Sequence, residues 1–151
     1  MGPGDLRFAG GYFFLFAIYG VTSPFLQVLL RGLGYGSAEL GLFQGLFEAM
    51  AIGGPFFLAN LADKRGAYRP MLLLCALMAA GAAIPLALVR SPFVTLPFIA
   101  MLALGVRGMV PMMDAAVVAH TSRERAAASG PGRGFGLLRS MGTVGFIVVL
   151  F

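Results

Sequence analysis

The sequence contains little charge, one cysteine, one histidine and no tryptophan. Charged residues make up 11% of the chain, against about 25% in soluble domains, which argues against a soluble protein. Cys75 stands alone inside an apolar run, so neither a disulfide framework nor a thiolate metal site is predicted. Cys75 is instead expected to be a small core residue.

The sequence also lacks the patterns of several functional classes. The net charge of +5 does not indicate nucleic-acid binding, because the basic residues lie in short segments between apolar runs. No Ser/His/Asp arrangement, metal-ligand cluster or nucleotide loop supports a small membrane enzyme. The glycine-rich run 130–136 is not followed by Lys-Ser or Lys-Thr, and a helix start is predicted there. No enzyme activity, cofactor, metal or nucleic-acid partner is expected.

Long apolar runs dominate what remains, with 59% hydrophobic residues and a mean hydropathy of +0.89. Runs of roughly 20 apolar residues are long enough to cross a bilayer as helices. The predicted fold class is therefore an all-α integral membrane protein with about five transmembrane helices. The predicted helices cover residues 8–30, 38–60, 70–89, 93–120 and 133–151. A cleaved signal peptide is the alternative for the first run, but its hydrophobicity continues past Pro24 and further spans follow.

The segment from Asn60 to Arg69 carries four charged residues between two apolar runs. Hydrocarbon cannot solvate such a cluster, so a tight turn outside the bilayer is predicted. The third run, after this turn, has no ionisable residue and is predicted to face lipid. A polar loop is predicted from Thr121 to Gly132.

The second predicted helix carries small residues at every fourth position, which predicts close approach by another helix. These residues are Gly41, Gly45, Ala49 and Gly53. Gln44 and Glu48 form an adjacent polar stripe.

Basic residues indicate the orientation, since they accumulate on the cytoplasmic side. With the N-terminus inside, two basic residues face outward, Arg107 lies within the membrane and eight face the cytoplasm. The eight are Arg7, Lys64, Arg65, Arg69, Arg123, Arg125, Arg133 and, counted with them although it lies just within helix five, Arg139. A multi-pass protein of the cell (inner) membrane with a cytoplasmic N-terminus is predicted.

Four ionisable residues stand out inside the predicted spans, away from their first and last turns or marked by their pairing: Glu48, Arg107, Asp114 and Arg139. Each costs about 2.5–3.5 kcal/mol at a helix centre, so such residues need partners and mark transport pathways. Asp114 lies six residues before the inner end of helix four, and Arg139 lies six residues after the inner start of helix five. Six residues rise about 9 Å in each helix, so the sequence predicts a carboxylate–guanidinium pair at matched depth.

Structural roles remain open for all four residues. The pair can be a static bridge or a ligand site, and Arg107 can snorkel or pair with a partner that the sequence does not identify. Glu48 can form an interhelical hydrogen bond or line a cavity as a protonatable carboxyl. His120 is predicted to be a surface residue. Glycine and proline interrupt helices one and four at Gly20, Pro24 and Pro111, a weak pointer to a transporter's binding cavity.

Three segments resemble the major facilitator superfamily, and within it the lactose-permease-like branch that includes nucleoside and phenylpropionate permeases. Residues 61–66 with Arg69 resemble the signature turn between helices two and three, and Asp63, Lys64, Gly66 and Arg69 fall on its pattern. Residues 111–114 resemble the Pro-x-x-acid of helix four, and residues 139–146 the Arg-x-x-Gly-x-Val-Gly-aromatic of helix five. The departures are Ala59 and Tyr68 in the turn, Asp114 for the longer Glu, and Phe146 for Trp.

The resemblance covers residues 8–151 and implies the N-terminal half of this fold, truncated in helix five. It implies that Asp63 latches the cytoplasmic gate and that Asp114, Arg139 and Phe146 line the substrate site. Thr143, Glu48 and Arg107 are added as candidate substrate-binding residues. The expected function is secondary active transport of a small organic solute (a sugar, nucleoside or aromatic acid) by alternating access and proton symport. Membrane lipid and a C-terminal half-transporter are the expected partners. The alternative is a truncated fragment without transport activity of its own.

Overall fold

The computed structural model describes residues 3–66, 68–127 and 135–151. These residues form five α-helices and no strand, so the predicted all-α fold class is confirmed. The helices are α1 (Pro3–Gly32), α2 (Ser37–Arg65), α3 (Tyr68–Leu88), α4 (Pro92–Ala127) and α5 (Phe135–Leu150).

Four of the helices are long and apolar enough to cross a membrane. The qualifying segments are Asp5–Gly32, Ser37–Arg65, Tyr68–Leu88 and Pro92–Ser122, while Gly136–Leu150 is a shorter apolar helix. In hydrocarbon a helix satisfies its own backbone hydrogen bonds, which is why each apolar run folds in this way. The chain is a multi-pass membrane protein.

Two helices extend beyond their predicted ends into polar sequence. α2 continues to Arg65 and ends at Gly66, whose φ of 58° is the left-handed conformation that glycine adopts at helix C-termini. The predicted turn from Asn60 to Arg69 is therefore much too long. α4 continues past Thr121 to Ala127, so the predicted loop starts too early. A helix ends where its backbone is capped, not where its side chains become polar. Arg133, the predicted inner start of helix five, lies outside the described residues.

The proline residues do not break the helices that contain them. Pro24 lies inside α1, and Pro111 lies inside α4. The helices are therefore continuous through Gly20, Pro24 and Pro111, where the sequence predicted interruptions. Membrane helices tolerate proline because neighbouring groups satisfy the backbone carbonyl that it leaves unpaired.

The chain divides into two compact units, and the larger comprises residues 23–112. Two helix backbones come close together at Gly105 of α4, where a Cβ atom would lie 2.6 Å from the backbone of both Cys75 and Ala79 in α3. One face of α3 is buried by such contacts, at Met71, Cys75, Ala79, Ala82 and Leu86. The prediction that α3 faces lipid therefore describes only its other face, where Leu73 and Leu77 are exposed.

The stripe of small residues on α2 does not form the predicted helix contact. No atom of another described element lies within 4 Å of a Cβ placed at Gly41, Gly45 or Gly53. The small residue of α2 that is closely approached is Gly54, one position later, where Leu104 of α4 lies 2.5 Å from the added Cβ.

The second unit comprises the described parts of residues 1–22 and 113–151. Here α5 packs against the first part of α1 through Gly142 and Gly145. A Cβ at Gly145 would collide with the backbone carbonyl of Phe13, so only glycine allows this approach. The contact brings α1, the last part of α4 and α5 within side-chain reach of one another.

Candidate functional site

Asp114 is the centre of a polar cluster in the smaller unit. Its Oδ1 accepts a 2.6 Å hydrogen bond from the Tyr12 hydroxyl, and its Oδ2 accepts a 3.3 Å bond from Arg139 Nη1. The predicted pairing of Asp114 with Arg139 is confirmed as a contact. The three side chains come from α1, α4 and α5, and one partner occupies each carboxylate oxygen.

The two partners of Asp114 are held very differently. Tyr12 is fully buried, so its hydroxyl has a defined position. The Arg139 side chain is 47% exposed, and its 3.3 Å bond is longer than the roughly 2.7–2.9 Å of a tight charge-assisted hydrogen bond. Tyr12 thus anchors the carboxylate, whereas the guanidinium lies at the open side of the cluster.

Two further predicted site residues on α5 lie farther along that helix. Phe146 is half-buried, and its ring and backbone face Gly20 of α1, with Phe146 O 3.2 Å from a Cβ placed there. Phe146 is two helical turns from Arg139, a rise of about 10 Å, and Thr143 lies exposed between them. The structure therefore brings Asp114 and Arg139 together and places Phe146 at a different level of α5.

A second polar cluster joins α1, α2 and α4 in the larger unit. Arg107 Nη2 donates a 2.8 Å hydrogen bond to Glu48 Oε1, and the guanidinium lies 5.2 Å from the centre of the Phe47 ring. Gln44 Nε2 donates to the same Glu48 oxygen at 3.1 Å, and Gln27 Nε2 donates to Gln44 Oε1 at 3.1 Å. Arg107 thus has Glu48 as its partner, and Glu48 forms an interhelical hydrogen bond and also lines a cavity.

Among its described residues, the signature-like turn has a side-chain contact between Tyr68 and Asp63. The Tyr68 hydroxyl donates a 2.6 Å hydrogen bond to Asp63 Oδ1 across the α2–α3 turn. Gly66 caps α2 with its backbone N–H directed to Ala62 and Asp63 carbonyls, while Lys64 and Arg69 are exposed. Tyr68, where the superfamily pattern has a basic residue, thus occupies one oxygen of the carboxylate.

His120 is not the surface residue that the sequence predicted. Its side chain is 28% exposed, its ring centre lies 4.9 Å from that of Phe8, and its Nε2 lies 3.9 Å from Asp5 Oδ1. α4 does not end at His120 but continues for two more turns, which leaves the imidazole packed against α1.

Sequence reasoning missed Tyr12 and Gln27. Asp5 of α1 lies beside His120 of α4, so these two residues are at the same depth. Tyr12 is seven residues after Asp5 in α1, and Asp114 is six residues before His120 in α4, which runs antiparallel to α1. The rises of about 10 Å and about 9 Å match, so the depth comparison that predicted the Asp114–Arg139 pair also applies to Tyr12. No such signal exists for Gln27, an ordinary polar residue near the end of an apolar run.

The chemistry of the Asp114 cluster suits recognition of a polar solute. A carboxylate accepts from hydroxyl or amine groups, and a guanidinium donates to hydroxyl or acidic groups. The described residues contain no group of three or more side chains placed to hold a metal ion. The cluster can therefore exchange hydrogen bonds with a ligand that displaces Arg139 from Asp114.

Comparison with known proteins agrees with this architecture. The family model described as "MFS_1 like family" matches residues 6–151, nearly the whole chain. No curated protein and no solved structure gave a significant match. Because the family model spans far more than half of the chain, and because the helices are apolar and membrane-length, the chain belongs to the MFS_1-like family of the major facilitator superfamily of membrane transporters.

Proposed function

We propose that the protein is a secondary active transporter of a small organic solute, working by alternating access and proton symport. A site in the lactose-permease-like branch would take a sugar, a nucleoside or an aromatic acid. The observation that carries the proposal is the Asp114 cluster, in which three membrane helices supply a carboxylate, a guanidinium and a phenol hydroxyl. Ionisable residues at such depth mark solute and proton pathways.

Solute binding is proposed to work by exchange of partners at Asp114. Tyr12 keeps one carboxylate oxygen in place, and the more exposed Arg139 turns from the other oxygen to the solute. A hydroxyl, or the protonated carboxyl of an acidic solute, then donates a hydrogen bond to Asp114 and accepts one from Arg139. This exchange replaces one set of charge-assisted bonds with another, so no unpaired charge is left in the membrane.

Transport is further proposed to require helices in addition to the five described here, as a C-terminal half-transporter would supply. Arg139 and Glu48 are each about half exposed within apolar helices. Charged groups in membrane spans face protein or a water-filled cavity instead of lipid. Additional helices facing these groups would enclose the solute and give the alternating openings.

The experiment that tests the proposed site is uptake by the Asp114→Asn variant in cells that express the chain together with a C-terminal half-transporter. A panel of radiolabelled sugars, nucleosides and aromatic acids identifies the solute, and alkalinisation of the medium on solute addition reports proton symport. Asparagine keeps the size of the side chain but loses the charge that binds Arg139. We expect uptake to fall to background while the amount of protein in the membrane stays unchanged.

Glu39→Gln is the matched control. Glu39 accepts a hydrogen bond from the Gly36 backbone at the start of α2, which a glutamine oxygen can also accept, and it lies in neither cluster. Uptake by this variant should equal that of the wild type. Wild-type levels of uptake in Asp114→Asn would refute the site, and absence of uptake in the wild type for every solute would favour the alternative of a fragment without transport activity.

A further inference from the structure

A groove between the end of α1 and the start of α2 lies beside the Glu48–Arg107 pair. Its cavity has a volume of about 390 Å³, within the range of roughly 300–1,000 Å³ typical of small-molecule sites. The lining is mostly polar or glycine: Gln27, Arg31, Ser37, Leu40, Gly41, Gln44, Gly45 and Glu48. Because Gly41 and Gly45 have no side chains, a ligand can lie directly against the backbone of α2.

One end of the groove carries a carboxylate oxygen of Glu48 that accepts no hydrogen bond from any described residue. Both hydrogen bonds that Glu48 receives, from Arg107 and from Gln44, end on Oε1. Within the described part of the chain, Glu48 Oε2 has no partner. Arg107 is held in turn by the Phe47 ring. The carboxylate is therefore fixed in direction, with one oxygen free to accept a hydrogen bond.

The other end of the groove carries a cation. Arg31 is exposed in the last turn of α1 and forms no ion pair with any described residue. Since Arg107 already balances Glu48, Arg31 leaves the groove with one excess positive charge. A second cation bound near Glu48 would be repelled by Arg107, whereas an anionic group beside Arg31 would be attracted.

The two ends are separated by a length that suits one elongated ligand. The Gln27–Gln44 hydrogen bond sets these residues at one level of two antiparallel helices. Arg31 lies four residues from Gln27 toward the α1–α2 connection, and Glu48 lies four residues from Gln44 in the opposite direction. The Cα atoms of Arg31 and Glu48 are thus about 12 Å apart along the helix axes, and the two long side chains shorten the gap.

We infer that this groove is a second solute site that takes a hydroxylated organic anion, with the anionic group on Arg31 and a hydroxyl donating to Glu48 Oε2. Ser37 and the Gln27 and Gln44 amides bind the intervening hydroxyls. The inference builds on the proposed transport function, as a station separate from Asp114. It is tested by binding, so that failure of uptake and failure of this site are distinguishable.

The experiment is equilibrium dialysis of purified protein in detergent with radiolabelled gluconate as the probe. Unlabelled sorbitol (hydroxylated but neutral) and hexanoate (anionic but without hydroxyls) serve as competitors. We expect gluconate to bind saturably and both competitors to displace it weakly. Arg31→Gln should weaken gluconate binding about tenfold or more, because a charge-assisted bond contributes roughly 1.5–3 kcal/mol and 1.4 kcal/mol corresponds to a factor of ten.

Three further variants decide the location of the site. Glu48→Gln should weaken binding of gluconate, while Arg90→Gln, which removes an exposed arginine in the α3–α4 connection, should leave it unchanged. Asp114→Asn should retain gluconate binding even though it abolishes uptake. Three results would each overturn the inference. Arg31→Gln and Arg90→Gln could lose gluconate binding equally, or Asp114→Asn could lose it while Arg31→Gln retains it. Hexanoate could also displace labelled gluconate as effectively as unlabelled gluconate does.

Discussion

Tyr12 is the residue on which the geometry of the Asp114 cluster depends most directly. Its ring is fully buried, and its hydroxyl donates the shortest hydrogen bond that Asp114 receives. Arg139 is more exposed and its bond is longer. The carboxylate therefore keeps its position through the phenol hydroxyl, while the guanidinium lies at the exposed side of the cluster.

Substituting Tyr12 by Phe tests this anchoring role. The ring is retained, so the packing of α1 is preserved, but Asp114 Oδ1 loses its donor. We expect unfolding in detergent to require about 1–3 kcal/mol less free energy and the KM for solute uptake to rise several-fold.

Tyr35→Phe is the matched control, because it removes a buried hydroxyl that contacts Thr95 and the Val89 carbonyl in the larger unit. It should lower stability and leave the KM unchanged. An unchanged KM in Tyr12→Phe as well would show that the hydroxyl is purely structural.

At the scale of helices, individual glycines, and not the spacing of glycines along a helix, decide where two helix backbones come close together. Gly105 meets the backbone of α3, which cannot move without shifting a helix, whereas Gly53 meets no other described element. Both residues lie inside apolar helices, and only their surroundings distinguish them.

We therefore expect Gly105→Ala to destabilise the protein and Gly53→Ala not to. Overpacking against Cys75 and Ala79 should cost about 1–3 kcal/mol in Gly105→Ala. Gly53→Ala should be neutral or stabilise the helix by up to about 1 kcal/mol, because alanine favours the helical conformation. Thermal unfolding in detergent measures both, and a stable Gly105→Ala protein would contradict the close contact of α4 with α3.

At the scale of the whole molecule, the membrane topology follows from the helix count and the distribution of basic residues. When each of the membrane-length segments in α1–α4 crosses the bilayer, the connections between them fall alternately on its two sides. With the N-terminus in the cytoplasm, the α2–α3 turn faces inward and the α3–α4 connection faces outward. This orientation is a prediction from Lys and Arg alone.

Cysteine labelling tests the orientation. The native Cys75 is fully buried, so it contributes little background to reaction with a membrane-impermeant maleimide. A Ser91→Cys protein should be labelled in intact cells, and a Lys64→Cys protein only after the membrane is permeabilised. The reverse pattern would place the N-terminus outside.

Part of the candidate site was predictable because depth along a helix can be counted from sequence. Asp114 and Arg139 are each six residues from a polar boundary, and they do meet. Glu48 and Arg107 were singled out but not paired. Glu48 lies about 17 Å along the axis from the start of α2, and Arg107 lies about 23 Å from the start of α4. These depths do not match, and the long arginine side chain spans the difference.

The sequence by itself determined the membrane location and the number of helices, because the hydrophobic effect and the backbone's need for hydrogen bonds act on each apolar run independently. Only the tertiary structure decided which polar groups meet, which glycines are contacts and where α2 and α4 end. Those features depend on helix rotation, side-chain reach and capping. Each is set by the neighbouring helices and not by the composition of the run itself.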